Sequence, residues 1–298
     1  MRIVVTGSQG QVVRALLERA GPALDVIALG RPELDLASTA DFTPLIAPCK
    51  PDVIVNAAAY TAVDKAESEP ELAFAVNGAG AGAVARAAQA LGVPVIQIST
   101  DYVFDGTGDR PMLETDPTGP IGVYGASKLA GEQQVLAATD DHAILRTAWV
   151  YAPFGANFVR TMLRVAKSRE ELGVVADQWG APTSALDIAA AVEAVARNLL
   201  KAPEDPALRG VFHMTAAGGP VNWADFATEI FARSAAHGGP SARVRPIATA
   251  EYPTPAKRPA WSLLDGGKLE RTHGVVLPDW RDGLRRTIDR LDGAGELR

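Results

Sequence analysis

The stretch RIVVTGSQGQVVRALLERA, residues 2–20, decides the fold. It opens on a β-branched apolar run that stops at Gly7, turns through Gly10, and continues as a helix-forming segment. A strand that passes through a tight glycine turn into a helix is the first half of a βαβ unit. Outward from it the same alternation recurs. Strand candidates are residues 2–7, 25–30, 52–59, 94–100 and 142–151, with helical candidates at 10–20, 73–92 and 127–138 between them. The strands are nearly continuous in apolar character, as in a parallel sheet covered on both faces. Candidates at 172–177, 185–200 and 210–215 extend the pattern.

Composition then shifts. Residues 216–222 read as a loop, and Asn222 stands where it can cap a helix over 223–236, with Asp225 in its first turn. Four prolines between Pro246 and Pro259 exclude a regular helix or central strand there. A last helix is predicted over 281–291. The expected fold class is α/β: a Rossmann-like, doubly wound parallel sheet with a smaller C-terminal α/β substrate-binding domain. Residues 1–150, joined again by 182–216, form the dinucleotide-binding domain; 151–181 and 217–298 form the smaller one.

The bounds on function are set by charge and composition. The 298 residues carry 29 Lys and Arg against 35 Asp and Glu, a net charge of −6, which argues against broad attraction to nucleic acid or an anionic membrane. The lone Cys49 fits a reducing compartment. The strand-like N-terminus leaves no room for a signal peptide, and no apolar run has the length of a membrane span, so a cytoplasmic location is expected. His142, His213, His237 and His273 are scattered without metal-ligand spacing, and no metal site is expected.

Gly7 and Gly10 let backbone N–H groups approach a pyrophosphate at the positive end of the first helix. The third glycine usual in such a turn is replaced by Val13, a position that serves helix-to-strand packing rather than phosphate contact. At the end of the second strand Arg31 stands where an acid would hold the ribose of NAD, which favours NADPH with NADH as the tolerated alternative. A solvated loop arginine is the competing structural reading.

The segment GVYGASKLAGE, residues 122–132, places Tyr124 four residues before Lys128, on one side of a helix. A ketone reduced by hydride needs a proton at its oxygen, and a cation beside a phenol lowers the phenol toward that task. The small neighbours Gly122, Gly125, Ala126 and Ser127 leave room for ribose and substrate. Ahead of this pair, ISTDYVFDGTG begins at a strand end, where Ser99 or Thr100 can offer a hydroxyl to the same carbonyl.

These residues resemble the extended short-chain dehydrogenase/reductases, and among them the dTDP-4-dehydrorhamnose reductase family, over nearly the whole chain. The motifs are TGSQGQ, DVIVNAAAYTAVDKAE, ISTDYVFDG, PTGPIGVYGASKLAGE, ILRTAWVY, DQWGAPTS, YPTPAKRPAWSLLD and LPDWRDGL. The resemblance implies NAD(P)H-dependent reduction of the C4 ketone of a dTDP-activated 4-keto-6-deoxy sugar, with Thr100, Tyr124 and Lys128 as the catalytic residues. It implies cofactor contacts from Gly7, Gln9, Gly10, Gln11, Arg31, Asp35, Leu36, Ala57, Ala58 and Ala59 as well as Tyr124 and Lys128. It implies substrate contacts from Thr61, Val63, Thr100, Asp101, Trp149 and Arg258. Plain packing competes for Thr61, Val63 and Trp149; Lys257 is a second candidate beside Arg258. Asp177, Gln178 and Thr183 either meet the sugar or fix their loop.

Some relatives dimerise around magnesium held by glutamates, one early in the first helix. Arg14 and Ala15 stand there, so that dimer is not expected and the chain is read as a monomer or homodimer. The competing functions are a 4-ketoreductase for another nucleotide-activated 6-deoxy sugar and a non-catalytic cofactor-binding regulatory subunit; the latter should lack the Tyr124/Lys128 pair.

Overall fold

Six of the predicted strands line up as a single parallel sheet. In the computed structural model, which describes residues 1–38 and 41–297, these are β1 (Arg2–Thr6), β2 (Asp25–Leu29), β3 (Val53–Asn56), β4 (Val95–Thr100), β5 (His142–Thr147) and the strand Gly210–His213. Their order across the sheet is Gly210–His213, β5, β4, β3, β1, β2, with every neighbouring pair parallel. The chain steps to one side of β1 for β2 and then to the other side for β3. At such a reversal the connections leave in opposite directions and open a crevice at the carboxyl ends of β1 and β3.

Helices cover both faces because both faces of the strands are apolar. On one face α1 (Gln11–Glu18) and the helix Ala185–Lys201 bury Val12, Val13, Leu16, Ile188 and Val192 against Ile3, Val5 and Val55. On the other, the helices Gly80–Leu91 and Val123–Ala138 bury Val84, Ala88 and Val135 against Val4, Ile54 and Ile144. Val13 is 1% exposed, so a larger side chain than glycine fills the helix-to-strand contact without opening it.

A second core lies beyond the end of β5. It gathers Tyr151, Val159 and Leu172 with Phe226, Ile230, Trp280, Leu284 and Ile288, from the helices Phe158–Ala166, Trp223–Ala236 and Trp280–Gly293. A parallel strand pair, Glu171–Val175 with Arg243–Ile247, edges it. Pro246 sits in that pair, where one side of the strand needs no ladder donor. The helix Trp223–Ala236 is capped by Asn222, whose Oδ1 accepts from Asp225 N at 2.8 Å. Leu269 and Leu277, although late in the chain, pack into the core of the large sheet.

Among the described residues no helix is long and apolar enough to cross a membrane, and no cluster of three metal-ligating side chains occurs.

Candidate active site

The crevice is framed first by backbone. Gly7 has φ +95°, a conformation that costs side-chain-bearing residues steric energy, and a Cβ there would stand 3.4 Å from both Ala58 and Val13. Gly10 caps α1 with no side-chain hydrogen bond, and no acidic residue lies in the first turn. The helix therefore presents its N–H groups and dipole to the crevice without an internal anion, which fits a pyrophosphate.

Behind this turn, a buried polar chain ties the strand ends together. Thr6 Oγ1 donates to Asn56 Oδ1 at 2.6 Å, Asn56 Nδ2 donates to Gln97 Oε1 at 2.7 Å, and Ala58 N donates to Thr6 Oγ1 at 3.1 Å. These bonds fix the backbone of Ala57–Ala59 at the mouth of the crevice. Sequence reasoning missed the three polar residues because each belongs to a different strand.

The other residues expected at the cofactor lie around this mouth in different states. Gln9 is exposed, whereas Gln11 accepts from Asn157 Nδ2 at 2.9 Å and so links α1 to the segment before Phe158. Arg31 is exposed just past β2, joined to Pro32 by a cis peptide. Asp35 accepts from Ala37 N at 3.0 Å, and Leu36 is buried against the helix Gly80–Leu91.

The helix Val123–Ala138 begins four residues before its predicted start, which puts Tyr124 inside its first turn. Two glycines set how closely it approaches the turn after β4 and the neighbouring helix. A Cβ on Gly125 would overlap the Tyr102 carbonyl oxygen, and one on Gly131 would overlap that of Asn77. Asn77 sits in a π-helical turn, Ala75–Ala79; its side chain accepts from Tyr60 N at 2.8 Å and donates to Ser127 Oγ at 2.9 Å. One turn beyond Lys128, Glu132 accepts two bonds from Arg146 of β5, at 2.9 and 2.7 Å, and one from Ser99 of β4 at 2.5 Å.

Lys128 is 5% exposed and its Nζ donates to the Ile98 carbonyl at 2.7 Å. Burial pulls its ammonium down to about 8, with the Glu132 carboxylate opposing. The cation was expected to lower the Tyr124 phenol. In the structure that phenol is pushed well up instead, because burial outweighs its hydrogen bond with Thr100, and the Asp101 and Tyr102 side chains add to the upward push. Lys128 directs its ammonium to a backbone carbonyl, so the phenol in this cleft stays a protonated acid.

Thr100 and Asp101, at the end of β4, stand beside Tyr124. Thr100 Oγ1 donates to Asp101 Oδ1 at 2.8 Å. The Tyr102 ring meets the Tyr124 ring edge-on with centroids 5.5 Å apart. Tyr102 was not singled out from the sequence, although it lies within the ISTDYVFDG motif.

Toward the second core, Trp149 has φ +47°, a strained value for a side-chain-bearing residue. Its ring stacks on Trp223 at 3.5 Å and 6°. One flat face of Trp149 is therefore covered by an aromatic partner 74 positions away, which no local spacing announces. Asp177 accepts from Thr249 N at 3.0 Å and Oγ1 at 2.6 Å; Gln178 donates to the same hydroxyl at 3.0 Å. Thr183 Oγ1 donates to Ala181 O at 3.2 Å. All three of these side chains fix loops.

Thr61 is exposed, and Val63 opens the short helix Val63–Ala66. From that helix Asp64 pairs with Arg258 at 2.7 Å and accepts from Ala256 N at 3.3 Å, fastening the proline-rich loop across the crevice. Arg258 also reaches the Tyr102 phenol, while Lys257 is exposed. Thr100, Asp101, Tyr102, Tyr124 and Lys128 thus gather at the end of β4, with Arg258 overhanging them.

The family model for the RmlD substrate binding domain matches residues 1–292. The dTDP-4-dehydrorhamnose reductase of Sinorhizobium fredii is 52% identical over 288 residues, 97% of either chain. Among solved structures, the dTDP-4-dehydrorhamnose reductase of Clostridium acetobutylicum superposes with a TM-score of 0.87 at 39% identity, over 98% of this chain and 99% of that one. The Bacillus anthracis enzyme of the same name, in complex with NADP, superposes with a TM-score of 0.88 at 35% identity, over 97% of this chain and 99% of that one.

Proposed function

The chain belongs to the RmlD substrate-binding-domain family, and from that membership we propose that it is the reductase of dTDP-4-dehydro-β-L-rhamnose, forming dTDP-L-rhamnose with NADPH, and with NADH as the weaker reductant. The observation that carries the reading is the convergence of Thr100, Tyr124 and Lys128 at the end of β4, next to the reversal point of the sheet.

When bound, the nicotinamide cofactor supplies the hydride that C4 of the sugar accepts. Gly7, Gly10 and the uncapped start of α1 fit its pyrophosphate, and Arg31 fits a 2′-phosphate. Gln9, Gln11, Asp35, Leu36 and Ala57–Ala59 line its path. Tyr124 holds the proton that the keto oxygen takes, Thr100 orients that oxygen, and Lys128 holds the cofactor ribose. A phenol kept protonated by burial is a competent donor once an alkoxide forms beside it. On the substrate side, Thr61, Val63, Asp101 and Trp149 border the sugar, and Arg258 takes the diphosphate with its planar fork of donors.

Residues 1–150 with 182–216 bind the cofactor, and 151–181 with 217–298 bind the nucleotide sugar. The protein acts in the cytoplasm as a monomer or homodimer.

Tyr124→Phe tests the reading, with dTDP-4-dehydrorhamnose as substrate and nicotinamide oxidation as the signal. Turnover should fall by at least about a hundredfold while NADPH affinity changes less than about twofold, the scale expected for loss of a general acid. Unchanged turnover defeats the assignment.

A further inference from the structure

Asp101 is the first residue after β4, and its side chain is 2% exposed. Its Oδ1 accepts the Thr100 hydroxyl, while its Oδ2 is buried with no hydrogen-bond partner among the described residues. Facing the carboxyl are the phenols of Tyr124 and Tyr102, with Arg258 and Asp64 behind Tyr102, and from the cap loop Ser262, whose Oγ donates to the Trp179 carbonyl at 3.2 Å. An ionised carboxylate with one oxygen left dry and undonated is costly, and a proton is the donor it lacks.

The Thr100 hydroxyl has a single hydrogen. Tyr102 N donates to its oxygen at 3.3 Å, and the hydrogen itself goes to Asp101. While Asp101 is ionised, Thr100 can therefore only accept from Tyr124; it has no proton to offer to a ketone or a phenolate. When Asp101 carries a proton, the direction of the chain reverses. A half-turn about χ2, a broad two-fold torsion, brings a proton on Oδ2 to Thr100 Oγ1.

We propose that Asp101 is the proton reservoir behind the phenol, refilling Tyr124 through the hydroxyl of Thr100. The inference rests on Tyr124 being the donor. As the keto oxygen gains the phenolic hydrogen, the Tyr124 Oη–H bond breaks. The phenolate then takes the Thr100 hydrogen, and Thr100 Oγ1 takes the carboxyl hydrogen of Asp101. The negative charge ends on Asp101, which takes a proton from water once product leaves. Burial pushes the Asp101 carboxyl up to about 6, so transfer from it to a phenolate runs downhill.

The test uses the full chain labelled with 13C-aspartate, without cofactor, followed by infrared difference spectroscopy across pH. A carboxylic C=O band should disappear with a midpoint near 6. It should be missing from Asp101→Asn and displaced in Thr100→Val, with circular dichroism and NADP+ binding unchanged in the Asn variant. In turnover, wild-type kcat should fall as pH rises through the midpoint seen with substrate bound. Asp101→Asn should be at least about tenfold slower with that limb gone, the size of a lost proton-transfer step. Wild-type kcat and limb in Asp101→Asn, or no titrating carboxylic band in the labelled protein, overturn the relay. Should Tyr124→Phe be inactive while either result holds, the relay alone fails; should Tyr124→Phe turn over normally, the donor assignment fails with it.

Discussion

Lys128 keeps an ammonium where little water reaches it, and its titration therefore falls inside the working range. Its value of about 8 lies below that of a free lysine because burial penalises the charged form. The sign follows: folding favours the neutral amine, so charging it costs stability below about pH 8, a cost relieved as pH rises toward the free value of 10.5. A ribose-holding cation works the other way, and kcat/KM should fall as pH rises through about 8. Lys128→Arg should move that falling limb beyond the accessible range, because a guanidinium stays charged; a limb left in place assigns it to another group. Arg31 makes a separate prediction from its exposed position after β2. Arg31→Ala should raise KM for NADPH about tenfold, one charged hydrogen bond's worth, and leave KM for NADH unchanged. At this scale the Tyr124/Lys128 pair and the glycine turn were legible, because each is written in a spacing of a few residues. Tyr102, Asp64 and Trp223 were not, since their roles come from partners far along the chain: Arg258 for the first two, Trp149 for the last.

The helix Val123–Ala138 carries both of those side chains, and what aims it is the buried ion pair at its centre. Glu132 and Arg146 are 2% and 4% exposed, and Ser99 adds a third bond to the carboxylate from the strand that ends in Thr100. The pair therefore joins the helix to β4 and β5 at one point, a turn below Lys128. Removing one partner strands the other charge: Glu132→Gln should lower stability by about 3–5 kcal/mol in urea unfolding. The double change Glu132→Met with Arg146→Met should recover most of that loss, since a packed apolar pair avoids the desolvation of both ions. If the double variant is less stable than the single, the pair is a net stabiliser and this account of it is wrong. Sequence periodicity located this helix and the strands around it. It did not place the helix start at Val123 or the π-helical turn at Ala75–Ala79. Those follow from contacts between elements, with Gly125 laid against Tyr102 and Asn77 bonded to Tyr60 and Ser127.

Across the whole molecule, the C-terminal part of the chain returns to the first core at several points, through Leu269 and Leu277 in the core itself and through the proline-rich loop at the crevice. Trp261 N donates to the Gly106 carbonyl at 3.0 Å and its indole donates to the Arg110 carbonyl at 2.7 Å, so the loop is anchored beyond Arg258 by backbone acceptors. Arg258 itself is held by Asp64. That pair is 20% and 43% exposed, which limits its contribution to stability to about 0–1 kcal/mol. The carboxylate instead engages Nη2 of the guanidinium, and with Arg258 in its proposed role at the diphosphate, nucleotide and Asp64 compete for the same cation. Removing the competing charge should strengthen nucleotide binding. Asp64→Asn, which keeps the acceptor for Ala256 N, should tighten dTDP by up to about fivefold by calorimetry, the range of a partly exposed ion pair. Arg258→Ala should weaken the same equilibrium by about tenfold or more, as expected when a charged hydrogen-bond donor is lost. Opposite signs for the two halves of one ion pair separate a competitor from a scaffold. Were Asp64 needed to hold the loop in its binding position, both variants would weaken dTDP, and the ion pair would then belong to the structure of the site rather than to its occupancy.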